Sequence, residues 1–124
     1  MNFVKLVGLA VAAAFVVPAV AGAAEPPAAW KKPGSCITCH KAEAGKHLVG
    51  PSLFGIIGRK AGTADGFKNY SDDMKNLGIT WDEAQLRKYL PDPKAMVPHT
   101  KMVFPGLKDP KDVEEVIAYL KTLK

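Results

Sequence analysis

At 124 residues the chain has room for one domain, and its 17 Lys and Arg against 12 Asp and Glu leave a net charge of +5. With only two cysteines, a disulfide-dense scaffold and a cysteine-closed zinc site are excluded. The positive balance draws the protein toward acidic surfaces, but no nucleic-acid-reading motif is present and nucleic acid is not an expected partner.

The first residues read as a leader. Lys5 is the one charge in residues 1–24, an apolar run follows from Leu6 to Val17, and Pro18 breaks it. Small residues then fill positions 19–24, with Ala21-Gly22-Ala23 offering an A-x-A cleavage site. This layout predicts a secretory signal peptide over 1–23, cleaved near Ala23, and a single exported domain over 24–124. An uncleaved anchor is the rival, because Leu6 to Ala24 carries no charge and is barely long enough to span. The proline and the alanine-rich end favour cleavage, hence a periplasmic protein without stable membrane insertion. A mature chain of about 100 residues buries a modest core and often needs a staple.

Pro26, Pro27 and Pro33 limit the next stretch to a brief helix around Ala28–Lys32. Helix resumes over Cys36–Lys41, which contains Cys36-Ile37-Thr38-Cys39-His40, the C-x-x-C-H pattern of covalent haem attachment. Cys36 and Cys39, one turn apart, can each form a thioether to a porphyrin vinyl group, and His40 can ligate the iron. A plain disulfide, a thiol–disulfide pair, or a zinc site recruiting His40 with His47 or His99 are the competing readings of the motif alone. Export fits both haem attachment and a disulfide.

Glycines at 45, 50, 55, 58, 62 and 66, with Pro51, predict loops from Glu43 to Asn69, with one helical turn at Leu53–Ile57. No period-two run of strand length occurs, so no sheet is expected. Thr80-Trp81-Asp82-Glu83 has the form of a capping box, starting a helix that stops at Pro91. Asp109-Pro110 starts another, with Val113, Val116, Ile117 and Leu120 on its apolar face and Tyr119 and Leu123 beside it.

A haem held by His40 needs a ligand on its other face. Met74, Met96, Met102, His47 and His99 are the candidates, although any one methionine commonly serves as a core filler. Met102 stands out because Pro98–Gly106 lies between the two capped helices, on backbone free to wrap a haem face.

Six ordered pieces now resemble a class I cytochrome c, the soluble mitochondrial and bacterial electron-carrier type. They are Cys36-x-x-Cys39-His40, Gly50-Pro51-Ser52-Leu53, Gly58-Arg59-Lys60, Gly78-Ile79-Thr80-Trp81, Thr100-Lys101-Met102-Val103-Phe104 and Ile117-Ala118-Tyr119-Leu120, spanning residues 34–124. The resemblance implies an all-α, small cytochrome c fold, with three to five short helices and long loops wrapped around one covalently bound haem c. It implies His40 and Met102 as axial ligands, and Pro51 accepting the other imidazole N–H. Arg59, Tyr70 and Trp81 would meet the propionates, with Thr100 close by.

The implied function is single-electron transfer by a monomer, not enzymatic turnover. Its partners would be redox proteins with acidic docking surfaces: a quinol-oxidising cytochrome complex, a terminal oxidase, a reaction centre or a periplasmic dehydrogenase. Lys32, Lys41, Lys46, Lys60, Lys94 and Lys101 would ring the haem edge and steer such encounters. The alternatives are a haem enzyme or gas sensor with an open iron position, and a periplasmic thiol–disulfide protein. Three departures from the family pattern stand out. Pro33 interrupts the amino-terminal helix and Trp30 is off its aromatic spacing, so these residues do not assure docking on the carboxy-terminal helix. Met74 replaces a usual polar residue, and His99 a usual glycine; His99 is expected exposed, and His47 bonded to a loop carbonyl.

Overall fold

The computed structural model describes residues 8–14 and 24–124; most of the expected leader, 1–23, lies outside the described residues. Residues 8–14 have no regular structure and are exposed. The described residues form six helices: α1 Ala28–Lys31, α2 Cys36–Cys39, α3 Asp72–Lys75, α4 Glu83–Tyr89, α5 Pro93–Met96 and α6 Pro110–Lys121. No helix among them is long and apolar enough to cross a membrane.

Helix α6 starts where Asp109 and Pro110 direct, the Asp109 carboxylate accepting from the Lys111 N–H at 2.9 Å. Val113, Val116, Ile117 and Leu120 are buried on one face, and Tyr119 and Leu123 are buried beside them. Helix α4 starts two residues later than its sequence suggests: the cap is Asp82, accepting from the Gln85 N–H at 2.7 Å. Thr80 is not available as a cap because Lys60 and Thr80 form an antiparallel bridge. Around it Ala61 donates to Ile79 at 2.8 Å and Trp81 to Arg59 at 2.9 Å, which keeps 79–81 extended. Pairing with the 58–61 loop overrides the local capping signal.

No helix forms at Leu53–Ile57, contrary to the glycine-punctuated reading. The backbone there is committed elsewhere: Leu53 donates to Lys41 at 2.9 Å and Gly55 to Leu123 at 2.6 Å. Only a turn remains, Ile56 to Leu53 at 3.1 Å. Helix α2 also ends sooner than Lys41, because His40 leaves it in an extended conformation. The short helices α3 and α5 lie in stretches that carried no strong periodic signal. Ser71 caps α3 through its hydroxyl, 3.1 Å from the Met74 N–H.

Despite Pro33, α1 packs on α6. The indole of Trp30 meets the Tyr119 ring edge-on at a centroid distance of 5.0 Å, with Trp30 only 2% exposed. The Ser35 hydroxyl donates to the Ala29 carbonyl at 2.5 Å, so the proline turn is closed by a side-chain bond in place of further helix. Helices α4 and α6 cross nearby, their exposed flanks joined by Arg87 to Glu114 at 2.7 Å and Lys121 to Glu83 at 2.6 Å. The core thus gathers at the junction of α1, α4 and α6, and the long 41–70 and 97–109 loops enclose what lies beside it.

Candidate functional site: an apolar cleft between two loops

Two adjoining cavities, of about 880 Å³ and 670 Å³ in part open to solvent, share His40, Cys39, Tyr70, Met74, Tyr89 and Met102 in their walls. Cys36, Leu53, Ile56, Arg59, Trp81, Leu86, Leu90 and Phe104 line the larger one. Their adjoining position and apolar walls suit a large flat cofactor.

The His40 wall is built by close approach of backbone. His40 follows the single turn of α2 and pairs with His47 in an antiparallel bridge, while Gly50 donates to the Cys39 carbonyl at 2.9 Å. Gly50 lies flat against the imidazole: a Cβ there would sit 2.7 Å from Nδ1 and 2.9 Å from Nε2. The next residue fixes the tautomer. His40 Nδ1 lies 2.7 Å from the Pro51 carbonyl, which can only accept, so Nδ1 carries the proton and Nε2 keeps its lone pair. Burial pushes the imidazolium pKa below its ordinary value, against the pull of the Pro51 carbonyl, so the neutral ring is favoured.

Cys36 and Cys39 are free thiols, half-buried, and both face this cleft. Burial pushes the Cys36 thiol up, partly offset by the Ser35 hydroxyl. A redox-active thiolate is normally pushed the other way.

Of the five candidates for the second ligand, Met102 and Met74 line the cleft. Met96 packs against the core and lines neither cavity. His47 has both ring nitrogens engaged, Nδ1 accepting from the Ser52 N–H at 2.9 Å and Nε2 donating to the Asp65 carbonyl at 2.8 Å. His99 is exposed and bonded to Asp73. Among the described residues no group of three His, Cys, Asp or Glu side chains comes together as a metal-binding cluster.

The polar residues divide around the cleft. Arg59, Tyr70 and Trp81 line the larger cavity, Tyr70 lines both, and Thr100 lines the smaller. Arg59 donates to the Ser52 carbonyl at 3.0 Å and the Phe54 carbonyl at 3.4 Å, and burial lowers its pKa. The Tyr70 hydroxyl accepts from the Ala64 N–H at 3.0 Å, which leaves its own proton to donate. Thr100 accepts from the Met102 N–H at 3.1 Å. Of the six lysines, Lys32 is drawn to Asp112 at 3.7 Å on α6, and Lys101 bonds Asn69 at 2.8 Å.

One residue escaped the sequence reading. Tyr89, read only as the end of a helix, lines both cavities and points its hydroxyl at the Met102 sulfur, 3.9 Å away. Burial raises its pKa to about 12, against a smaller opposing pull from Thr100, so the phenol stays protonated and able to donate. The available signal was a polar tip three positions after Leu86 on a buried helix face.

Haem fits these residues: two thiols, a neutral imidazole with a free lone pair, a thioether, apolar walls and one partly buried cation share one cleft. The relatives agree. The family profile described as Cytochrome c matches residues 27–124. The chain is 62% identical over 89 residues to "Cytochrome c2 iso-2" of Magnetospirillum molischianum, covering 72% of this chain and 91% of that protein. It is 50% identical over 120 residues to "Cytochrome c2" of Blastochloris viridis, covering 94% of this chain and 91% of that protein. Among solved structures, "cytochrome cH from Methylobacterium extorquens" superposes with a TM-score of 0.65 at 55% identity, over 70% of this chain and 87% of that chain. The chain belongs to the cytochrome c family, as a class I cytochrome c of the electron-carrying kind.

Proposed function

We propose that this protein is an exported single-electron carrier whose one haem c is held by thioethers from Cys36 and Cys39 and ligated by His40 and Met102. The observation that carries the reading is the sharing of one apolar cleft by both thiols, the free Nε2 of His40 and the Met102 sulfur. When bound, the haem supplies the redox couple, and a thioether ligand favours its ferrous form.

The protein's share of the work is positional. Pro51 holds the imidazole in one tautomer and orientation, as outer partners of metal-bound histidines do. Met102 is preferred to Met74 because it sits on irregular backbone and its sulfur already accepts from Tyr89. Arg59, Tyr70 and Trp81, with Thr100 nearby, supply donors for propionates, whose burial would otherwise be costly. Leu53, Ile56, Leu86, Leu90 and Phe104 keep water from the redox centre.

Residues 1–23 would be removed on export, leaving the basic domain in the periplasm. Lys41, Lys46, Lys60 and Lys94 are exposed and would steer it to acidic docking sites on donor and acceptor, in weak, salt-sensitive encounters. A quinol-oxidising complex, terminal oxidase, reaction centre or periplasmic dehydrogenase has the required chemistry.

The test is the visible spectrum of the purified protein, oxidised and reduced, beside that of Met102→Ala. Low-spin haem c bands with the weak ferric sulfur–iron band, lost in the variant while haem stays attached, support the reading. An unchanged variant spectrum would remove Met102 and bring Met74 forward. A high-spin parent would indicate an open iron, and a colourless one a dithiol protein.

A further inference from the structure

We propose that Asp73 is a positioning residue for the Met102 loop: its carboxylate clasps His99 and holds the ligand-bearing segment in place across the cleft. The inference rests on the assignment of Met102 as a ligand. One oxygen, Asp73 Oδ2, accepts twice from the same residue, from the His99 backbone N–H at 2.9 Å and from its Nδ1 at 2.7 Å. That double grip fixes both the main chain and the side chain of a residue three positions ahead of Met102. A second tie runs parallel to it, Lys101 Nζ to Asn69 Oδ1 at 2.8 Å. Both join the 69–75 segment to the 99–102 segment, and residues of both segments line the smaller cavity.

The two sides of the clasp differ in rigidity. Helix α3 is capped by Ser71 and lies close against the 62 loop, where a Cβ on Gly62 would come 3.0 Å from the Lys75 Cα. The loop has little hold of its own. From Lys101 to Gly106, Met102 has the sole backbone N–H bonded among the described residues, and its partner is Thr100 within the same loop. The loop is next tied by its backbone at Leu107, which donates to Leu90 at 2.8 Å. Upstream of Met102, the clasp and the Lys101–Asn69 bond are what tie this segment to residues 69–75, and the clasp alone grips the main chain. A carboxylate suits the task because charge strengthens both bonds. His99 is exposed and Asp73 half-buried, so water weakens the pair and the effect is a modest bias on loop opening.

The experiment uses the ferric holoprotein, with cyanide as the probe of loop opening, in the parent, Asp73→Ala, Asp73→Asn and His99→Ala. Cyanide association is expected to rise roughly 3- to 10-fold in Asp73→Ala. Asp73→Asn, which keeps a neutral acceptor, and His99→Ala, which keeps the backbone bond, should fall between it and the parent. Unfolding by denaturant should stay close to the parent's in His99→Ala. If the parent shows no sulfur–iron band, it is the Met102 assignment that fails, and the clasp with it. A parent with that band, and variants that bind cyanide at the parent's rate, would overturn the clasp alone. So would a fast Asp73→Ala beside a parent-like His99→Ala, since the effect would then belong to α3.

Discussion

Gly50 and His40 are in contact across the ring face, closer than any side chain at position 50 would allow. A Cβ there would lie 2.7 Å from Nδ1, so even alanine must push either the imidazole or the loop. The loop is constrained, because Gly50 donates to Cys39 and the following carbonyl holds Nδ1. Gly50→Ala is therefore expected to rotate His40 away from Pro51. It should cost about 1–3 kcal/mol of stability, the usual range for overpacking, and produce a mixed-spin ferric spectrum. A variant with the parent's low-spin spectrum and unfolding midpoint would show that the loop yields freely.

Tyr89 offers a subtler change. Its hydroxyl donates weakly to the Met102 sulfur at 3.9 Å; with Met102 as the proposed iron ligand, that bond would draw electron density from the thioether and favour the reduced iron. Tyr89→Phe keeps the buried ring and removes only that donor. The reduction potential should fall by roughly 20–40 mV, corresponding to about 0.5–1 kcal/mol for one electron. A potential that rises, or does not move, would show that the bond carries no weight.

These two residues also mark what the sequence could and could not say. His40 and Met102, which both line the cleft, could be singled out because a covalent motif and a loop between capped helices are local patterns. Asp109 was readable for the same reason. The cap of α4 was misplaced because Thr80 is bound by Lys60, twenty positions away, and no local rule sees that pairing. Tyr89 was missed because only the folded chain brings its hydroxyl to a sulfur on another loop. The Asp73–His99 bond joins residues 26 apart in stretches with no periodic signal. Local chemistry survives in one dimension, whereas partners brought together by loops do not.

Trp30 tests the packing that Pro33 did not prevent. Its indole is 2% exposed and packs edge-on against Tyr119, so α1, with four residues and no side-chain cap, is held chiefly by burial, with the Ser35 hydroxyl on the Ala29 carbonyl beside it. Trp30→Ala is expected to cost about 3–5 kcal/mol, a large share of the stability of a domain this small. Trp30→Phe should recover most of it. Thermal unfolding followed by circular dichroism checks both, and a Tm for Trp30→Ala within a degree or two of the parent's would mean that α1 does not dock.

The ion pairs between α4 and α6 give the stability a pH dependence with a definite sign. Lys121, then Arg87, hold the Glu83 carboxyl below its ordinary range, and Arg87 does the same for Glu114. A carboxylate whose folded pKa is depressed stabilises the fold fully above its unfolded pKa of about 4.3. The contribution is lost as pH falls from there through the lower folded value. These pairs should accordingly add no slope to the urea midpoint from neutral pH down to about 5, and a decline below about 4. That decline comes on top of the earlier loss expected from the depressed His40 as pH falls below about 6.5. All of these groups are exposed, so the decline should shrink as salt screens the pairs. In the Glu83→Gln, Glu114→Gln double variant part of the slope should vanish. If its midpoint fell with pH in parallel with the parent's, the α4–α6 carboxylates would not be the source of the acid lability.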